Sequence, residues 1–234
     1  MVKRGNRNMP TINIYDAIHV SCSKTWGYPF NLKFKSIIKD DRANGPGVYL
    51  ISFKDSPVYF GKYQPFMRNN IFDDRWLRHI ETITLRGERV GFGSNSRLDK
   101  VLPTVCDDLK TILNKLSEDE LYHRFRDTGV CSSCYRRIFA SQHWRQLSMA
   151  TPENILDDFD FRYYKIGGVQ QVEQAREVTS KIEKAVIGEF CLPINDAKGY
   201  IKPQSIDCIE ARVFELIQAQ GLVMKHELHL IGAK

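Results

Sequence analysis

The sequence predicts a small α/β (α+β) protein. Its centre is a three-stranded antiparallel or mixed sheet flanked by helices, with a basic N-terminal arm, a largely helical insertion and a C-terminal helical extension. Three observations predict this. Two short runs rich in β-branched and aromatic residues, Val48–Phe53 and Val58–Gly61, flank a turn and read as a hairpin. A third such run, Phe161–Ile166, closes on Gly167-Gly168. The segment Val172–Phe190 then carries apolar residues at helical spacing and stops before Pro193. The boundaries that follow are an arm over 1–44, a core over 45–196 interrupted by an insertion over 88–157, and an extension over 197–234.

In chain order, Thr11–Val20 suits a short strand or helix, and Lys24–Phe34 is aromatic and irregular. Ala43-Asn-Gly-Pro-Gly47 is a turn cluster that opens into the first strand, and Lys54-Asp-Ser-Pro57 turns the chain into the second. A helix is predicted next, capped by Asp73 or Asp74, with Trp76, Leu77, Ile80, Ile83 and Thr84 along one face and its end near Gly87. Asp107–Lys115, Glu118–Arg126 and Tyr135–Leu147 have helical character, and acidic Glu153–Asp160 resembles a linker. In the long helix, Val178, Ile182, Ala185, Val186 and Phe190 are periodic, and a last helix over about 206–220 leads into a Leu-rich tail.

Composition narrows the class of function. Hydrophobic residues are 42% of the 234 and charged residues 26%, an ordinary globular balance that excludes a disordered chain or a rod. No stretch approaches the roughly 18 apolar residues a membrane span needs, and the basic start is not followed by the apolar segment of a secretory signal. A cytoplasmic, soluble protein with no membrane partner is expected. The six cysteines are scattered except for one C-x-x-C and read as reduced thiols. Residues 1–39 hold seven basic side chains against one acidic, Asp16, so this segment alone carries the net charge of +6. A basic arm on a neutral body suits a polyanion such as nucleic acid, or a solvated tail.

Certain polar residues stand out against this frame. Tyr49 and Tyr59 lie on the paired strands, each in a glycine-bearing triplet, Gly47-Val48-Tyr49 and Tyr59-Phe60-Gly61; taken alone, packing across a hairpin is the better explanation of them. Arg75 and His79 are four apart, so a helix projects both from one face. A guanidinium beside an imidazole suits an anionic phosphate; the alternative is an ordinary exposed basic helix face. Glu183 interrupts the apolar stripe of the long helix. A carboxylate there needs a divalent cation or an ion pair with Arg75 or a lysine, because desolvating it alone costs several kcal/mol.

Taken in order, G-V-Y, then Y-F-G-K, R-W-x-R-H and E-x-x-V-I-x-x-F with a following Pro and Asn195, the chain resembles the GIY-YIG nuclease family over about residues 45–87 and 161–196. Val48 and Phe60 replace the family's central isoleucines and keep the strand positions apolar. The resemblance implies the GIY-YIG fold and a catalytic set of Tyr49, Tyr59, Arg75, His79, Glu183 and Asn195. Tyr49 would act as general base for, or positioner of, the attacking water, helped by a cation such as Lys62, and Tyr59 would orient water or phosphate. Arg75 would steady the scissile phosphate, and His79 would assist proton transfer or hold Tyr49. Glu183 would hold one Mg²⁺ or Mn²⁺ ion per active site, and Asn195 would brace the site by hydrogen bonds.

A self-contained chain with additions on this core is similar to the type II restriction endonucleases of the family. That implies a sequence-specific, metal-dependent endonuclease acting on double-stranded DNA as a homodimer. The alternatives are a structure-specific repair or recombination nuclease, and a DNA-binding protein of the same fold that does not cut. Candidate DNA contacts are Lys3, Arg4 and Arg7 in the arm, Lys62, Asn69, Asn70 and Arg78 around the core, and Arg136, Arg137 and Arg145 in the insertion. Cys131 and Cys134, with His123 and His143, are a candidate structural Zn²⁺ site or a pair of free thiols.

Overall fold

Lys54 and Asp55 both adopt positive φ, 48° and 61°. A two-residue loop of that hand matches the right-handed twist of the strands it joins, so β1 (Gly47–Phe53) turns directly into β2 (Ser56–Tyr63) as an antiparallel hairpin. Ser56 and Pro57, expected in the turn, belong to β2. Pro57 sits beside a register shift after Ile51, on an edge strand where its missing N–H removes no donor from the sheet interior. The computed structural model describes residues 44–64, 71, 75–76, 79, 83, 107, 135–136, 139–140, 142–149, 158–167, 171–195 and 204–229.

Among the described residues the further elements are α1 (Trp144–Met149), β3 (Phe159–Gly167), α2 (Val172–Phe190), α3 (Ile206–Ala219) and β4 (Val223–His229). The sheet runs β2-β1-β3-β4 with every neighbour antiparallel, which gives the expected mixed α/β class. A fourth strand stands where only a helical extension was expected. Gly221, at φ 67°, and Leu222 reverse the chain after α3, and β4 then takes the free edge of β3. The acidic stretch read as a linker ends inside the sheet, since Phe159 and Asp160 already belong to β3.

Every residue of β1 is buried, because the sheet is covered on both faces. Alternation sends Val48 and Leu50 to one side, where they meet Phe60, Tyr164 and Ile166, the α2 residues Val178, Ile182 and Val186, and the α3 residues Ile209, Val213 and Ile217. Each such side chain contributes roughly 1.5–3 kcal/mol relative to leaving it exposed. The opposite face is aromatic: Tyr49, Phe53, Tyr59, Tyr63, Phe159, Phe161 and Tyr163. Trp76 packs on Phe161, and Phe139 and His143 pack on Phe53, so residues from two helical stretches outside the sheet cover this side. Ile71 is already helical, ahead of the expected caps Asp73 and Asp74.

The helix ends follow local chemistry. Ser205 caps α3 by accepting from the Cys208 N–H at 3.2 Å. Cys191 ends α2 in the left-handed conformation, φ 46°, and its N–H closes on the Ile187 carbonyl. That bend turns Leu192–Asn195 back along the outer edge of β2, where Ile194 N–H donates to Val58 O at 2.9 Å. Among the described residues no helix is long and apolar enough to cross a membrane. Of the arm over 1–44, residues 1–43 lie outside them, as does the predicted helix Glu118–Arg126.

Candidate active site

Register brings the two tyrosines together. Tyr49 stands opposite Gly61 and Ile51 opposite Tyr59, so Tyr49 and Tyr59 are diagonal neighbours on the aromatic face, with ring centroids 5.8 Å apart. Gly61 makes the approach possible. A Cβ there would lie 2.7 Å from Cζ and Oη of Tyr49 and 2.8 Å from Cε1 of Tyr59. The glycine is required for space beside the rings.

His79 reaches this face from the stretch 71–83 and is 3% exposed. Its Nε2 lies 2.7 Å from the Tyr49 hydroxyl, and its ring is 4.6 Å from that of Tyr59. Its Nδ1 faces the Arg136 guanidinium at 2.9 Å. Burial, then the positive charges of Arg136 and Arg75, hold the imidazole well below its ordinary pKa, so it is neutral. Burial likewise pushes the Tyr49 phenol well above its usual value, the neighbouring Tyr59 adds to this, and Arg75 and Arg136 oppose it. Tyr59 is raised for the same first reason, burial. Arg75, half-buried, thus acts electrostatically on all three rings.

Glu183 approaches from the other side of the sheet, at the open edge of β2. Its Oε1 accepts from the backbone N–H of Lys62 at 3.2 Å, and its Oε2 pairs with Lys62 Nζ at 3.0 Å. Lys62 Nζ also donates to Ser180 Oγ at 3.0 Å. The partner of the helix carboxylate is therefore a lysine. Lys62 is committed to Glu183, and the cations that bear on Tyr49 are Arg75 and Arg136.

Asn195 completes the edge. Its Oδ1 accepts from Phe60 N–H at 2.6 Å and its Nδ2 donates to Phe60 O at 2.7 Å, a pairing that only one orientation of the amide satisfies. Together, Ile194, Asn195 and Glu183 occupy outward backbone groups of Val58, Phe60 and Lys62 that an edge strand otherwise presents to solvent. Asn195 and Glu183 thus hold the strand that carries Tyr59 and Gly61.

The Glu183 side chain is 22% exposed, and no group of three His, Cys, Asp or Glu converges as a metal site among the described residues. One accessible carboxylate suits Mg²⁺, which binds through one or two carboxylates and keeps several waters.

Of the candidate DNA contacts, Lys62 sits beside Glu183, Arg136 beside His79, and Arg145 is exposed on α1. Lys3, Arg4, Arg7, Asn69, Asn70, Arg78 and Arg137 lie outside the described residues, as do Cys131, Cys134 and His123 of the candidate zinc site. His143 packs its ring against Phe139 at 4.4 Å and Phe53 at 4.9 Å, and burial, then Lys54, keep it below its ordinary pKa. The Arg136–His79 contact was hidden in the sequence, because no spacing rule links residues 57 apart. Compared with protein-family models, curated proteins and solved structures, the chain matches none.

Proposed function

We propose that the chain is a metal-dependent endonuclease that hydrolyses phosphodiester bonds in double-stranded DNA, of the sequence-specific GIY-YIG type. The observation that carries this reading is the convergence on one sheet of the hydrogen-bonded Tyr49–His79 pair, Tyr59 and the Arg75 charge, with an accessible carboxylate, Glu183, at the adjacent edge.

Each side chain then has a role that its surroundings support. Tyr49 is a protonated hydroxyl at neutral pH, so it orients the attacking water and does not deprotonate it. Tyr59 lines the same wall and positions water or phosphate oxygen. Arg75 neutralises charge that develops on the phosphate, where prepositioned donors are worth several kcal/mol. Glu183 would hold a divalent cation, with Lys62 released from Oε2 to meet a phosphate. Such an ion, when bound, supplies Lewis-acid stabilisation of the phosphate and of the leaving oxygen. Asn195 keeps β2 in place. A palindromic recognition site would call for a two-fold homodimer with one such centre in each subunit.

The test is incubation of the full chain, and of Glu183→Ala, with a long unmethylated DNA and Mg²⁺. Discrete fragments from the wild type alone are expected, with Glu183→Ala still retarding DNA on gels. A smear would replace sequence-specific cutting by nonspecific or structure-directed cutting. DNA left intact by the wild type while still retarded would replace the nuclease by a binding protein, and cleavage by Glu183→Ala at the wild-type rate would remove the metal assignment.

A further inference from the structure

The insertion does not merely decorate the nuclease core; it delivers Arg136 to His79. A guanidinium has donors only, so at 2.9 Å from Arg136 NH1 the Nδ1 of His79 must accept. A neutral imidazole accepting at Nδ1 carries its proton on Nε2, the atom 2.7 Å from the Tyr49 oxygen. We infer that Arg136 is a positioning residue that locks His79 in the Nε2–H form, so that the imidazole donates to the Tyr49 oxygen and has no lone pair for the Tyr49 proton.

The consequence is directional. Arg136 donates to His79 and His79 donates to Tyr49, whose own hydroxyl proton is left to point away from the histidine. The other form, with the proton on Nδ1, would set that N–H against the N–H donors of the guanidinium, inside a wall where His79 is 3% exposed. Neighbouring contacts hold the geometry. Phe139, three residues beyond Arg136, packs edge-on against Phe53 of β1 at 5.2 Å, and the Phe139 carbonyl accepts from His143 N–H at 3.1 Å. The described groups that bear on the imidazole include Tyr49, Tyr59, Arg75 and Arg136, and the two charged ones, both cations, disfavour imidazolium. His79 is thereby excluded as the base for Tyr49, and Arg136, a natural candidate for phosphate contact, acts inside the centre.

The placement of Arg136 rests on geometry alone, whereas its effect on rate rests on the nuclease reading. Long-range imidazole ¹H–¹⁵N correlation of the full ¹⁵N-labelled chain tests the first. The expected spectrum has His79 protonated at Nε2 and bare at Nδ1 between pH 6 and pH 8; a proton on Nδ1 overturns the proposal without any variant. In Arg136→Met the tautomer should redistribute and His79 should titrate at higher pH, with Arg136→Lys restoring the wild-type form. Cleavage of double-stranded DNA with Mg²⁺ tests the second. Arg136→Met should lower kcat about 10- to 100-fold with little change in KM, the scale on which an outer partner of an oriented histidine acts, and Arg136→Lys should recover part of it. A rise in KM at unchanged kcat would make Arg136 a DNA contact and overturn the assignment, as would unchanged kinetics. If the wild type cuts no DNA, the nuclease reading fails, and the spectrum still decides the tautomer.

Discussion

Asn195→Ala should unlatch the edge of the sheet beneath the candidate site. The amide of Asn195 meets both the N–H and the carbonyl of Phe60, at 2.6 and 2.7 Å, and Phe60 is fully buried. Leaving a buried donor or acceptor unpaired costs about 1–3 kcal/mol. With two groups affected and water able to approach the part-buried edge, the expected loss is about 2–4 kcal/mol. For a urea m-value of about 2–3 kcal/mol per M, the unfolding midpoint should fall by about 1 M with the slope unchanged. Phe60 lies between Tyr59 and Gly61, so cleavage should weaken as well. Asn195→Asp sharpens the test. It keeps an acceptor for the Phe60 N–H but turns a carboxylate oxygen toward the Phe60 carbonyl, so it should be about as unstable as the alanine variant at pH 8. Protonation restores a donor. The folded-state pKa of this aspartate is raised, and its stability should recover toward wild type as pH falls through that value. A loss below about 0.5 kcal/mol in Asn195→Ala, or wild-type stability of Asn195→Asp at pH 8, would refute the latch.

Gly61→Ala should push the Tyr49 and Tyr59 rings apart, costing about 1–3 kcal/mol of stability as other overpacked sites do and abolishing cleavage; near-wild-type kcat/KM would show that the ring spacing is not needed. Stability should fall as pH drops below about 6.5, because His79 stays neutral in the fold while the unfolded chain takes up a proton. The slope approaches 1.4 kcal/mol per pH unit per histidine, and His143 adds in the same direction. Urea midpoints from pH 8 to 5.5 measure it, and a slope unchanged by His79→Asn would exclude His79 as the source. Deletion of residues 1–9 should flatten the salt dependence of DNA binding by up to about 2–3 units of logarithmic slope, at about 0.9 per phosphate contact for Lys3, Arg4 and Arg7; an unchanged slope would make the arm a solvated tail.

Much of this molecule is a local matter. The hairpin follows from two β-prone runs and a two-residue turn, β3 from Phe161–Ile166, and α2 from the periodicity that ends at Phe190, because each depends on neighbours a few residues away in the chain. Short motifs in their order along the chain carried the resemblance that marked Tyr49, Tyr59, Arg75, His79, Glu183 and Asn195 as an expected set. Other features needed the fold. β4 was illegible because a short strand acquires its identity from the partner edge it finds, and that edge belongs to β3, some sixty residues earlier. Glu183 announced a need for positive charge, but only the sheet register decided that Lys62 meets it. Asn195 was expected to brace the site, but its partner, Phe60, was decided only when the left-handed turn at Cys191 laid it against the edge of β2. Arg136 shows the limit most clearly. Its charge was plain in the sequence and suggested DNA, yet the packing of its neighbour Phe139 on Phe53 accompanies its placement against His79. Residue chemistry is carried by the chain itself, whereas the partner on which that chemistry acts is decided by long-range packing, which sequence spacing does not encode.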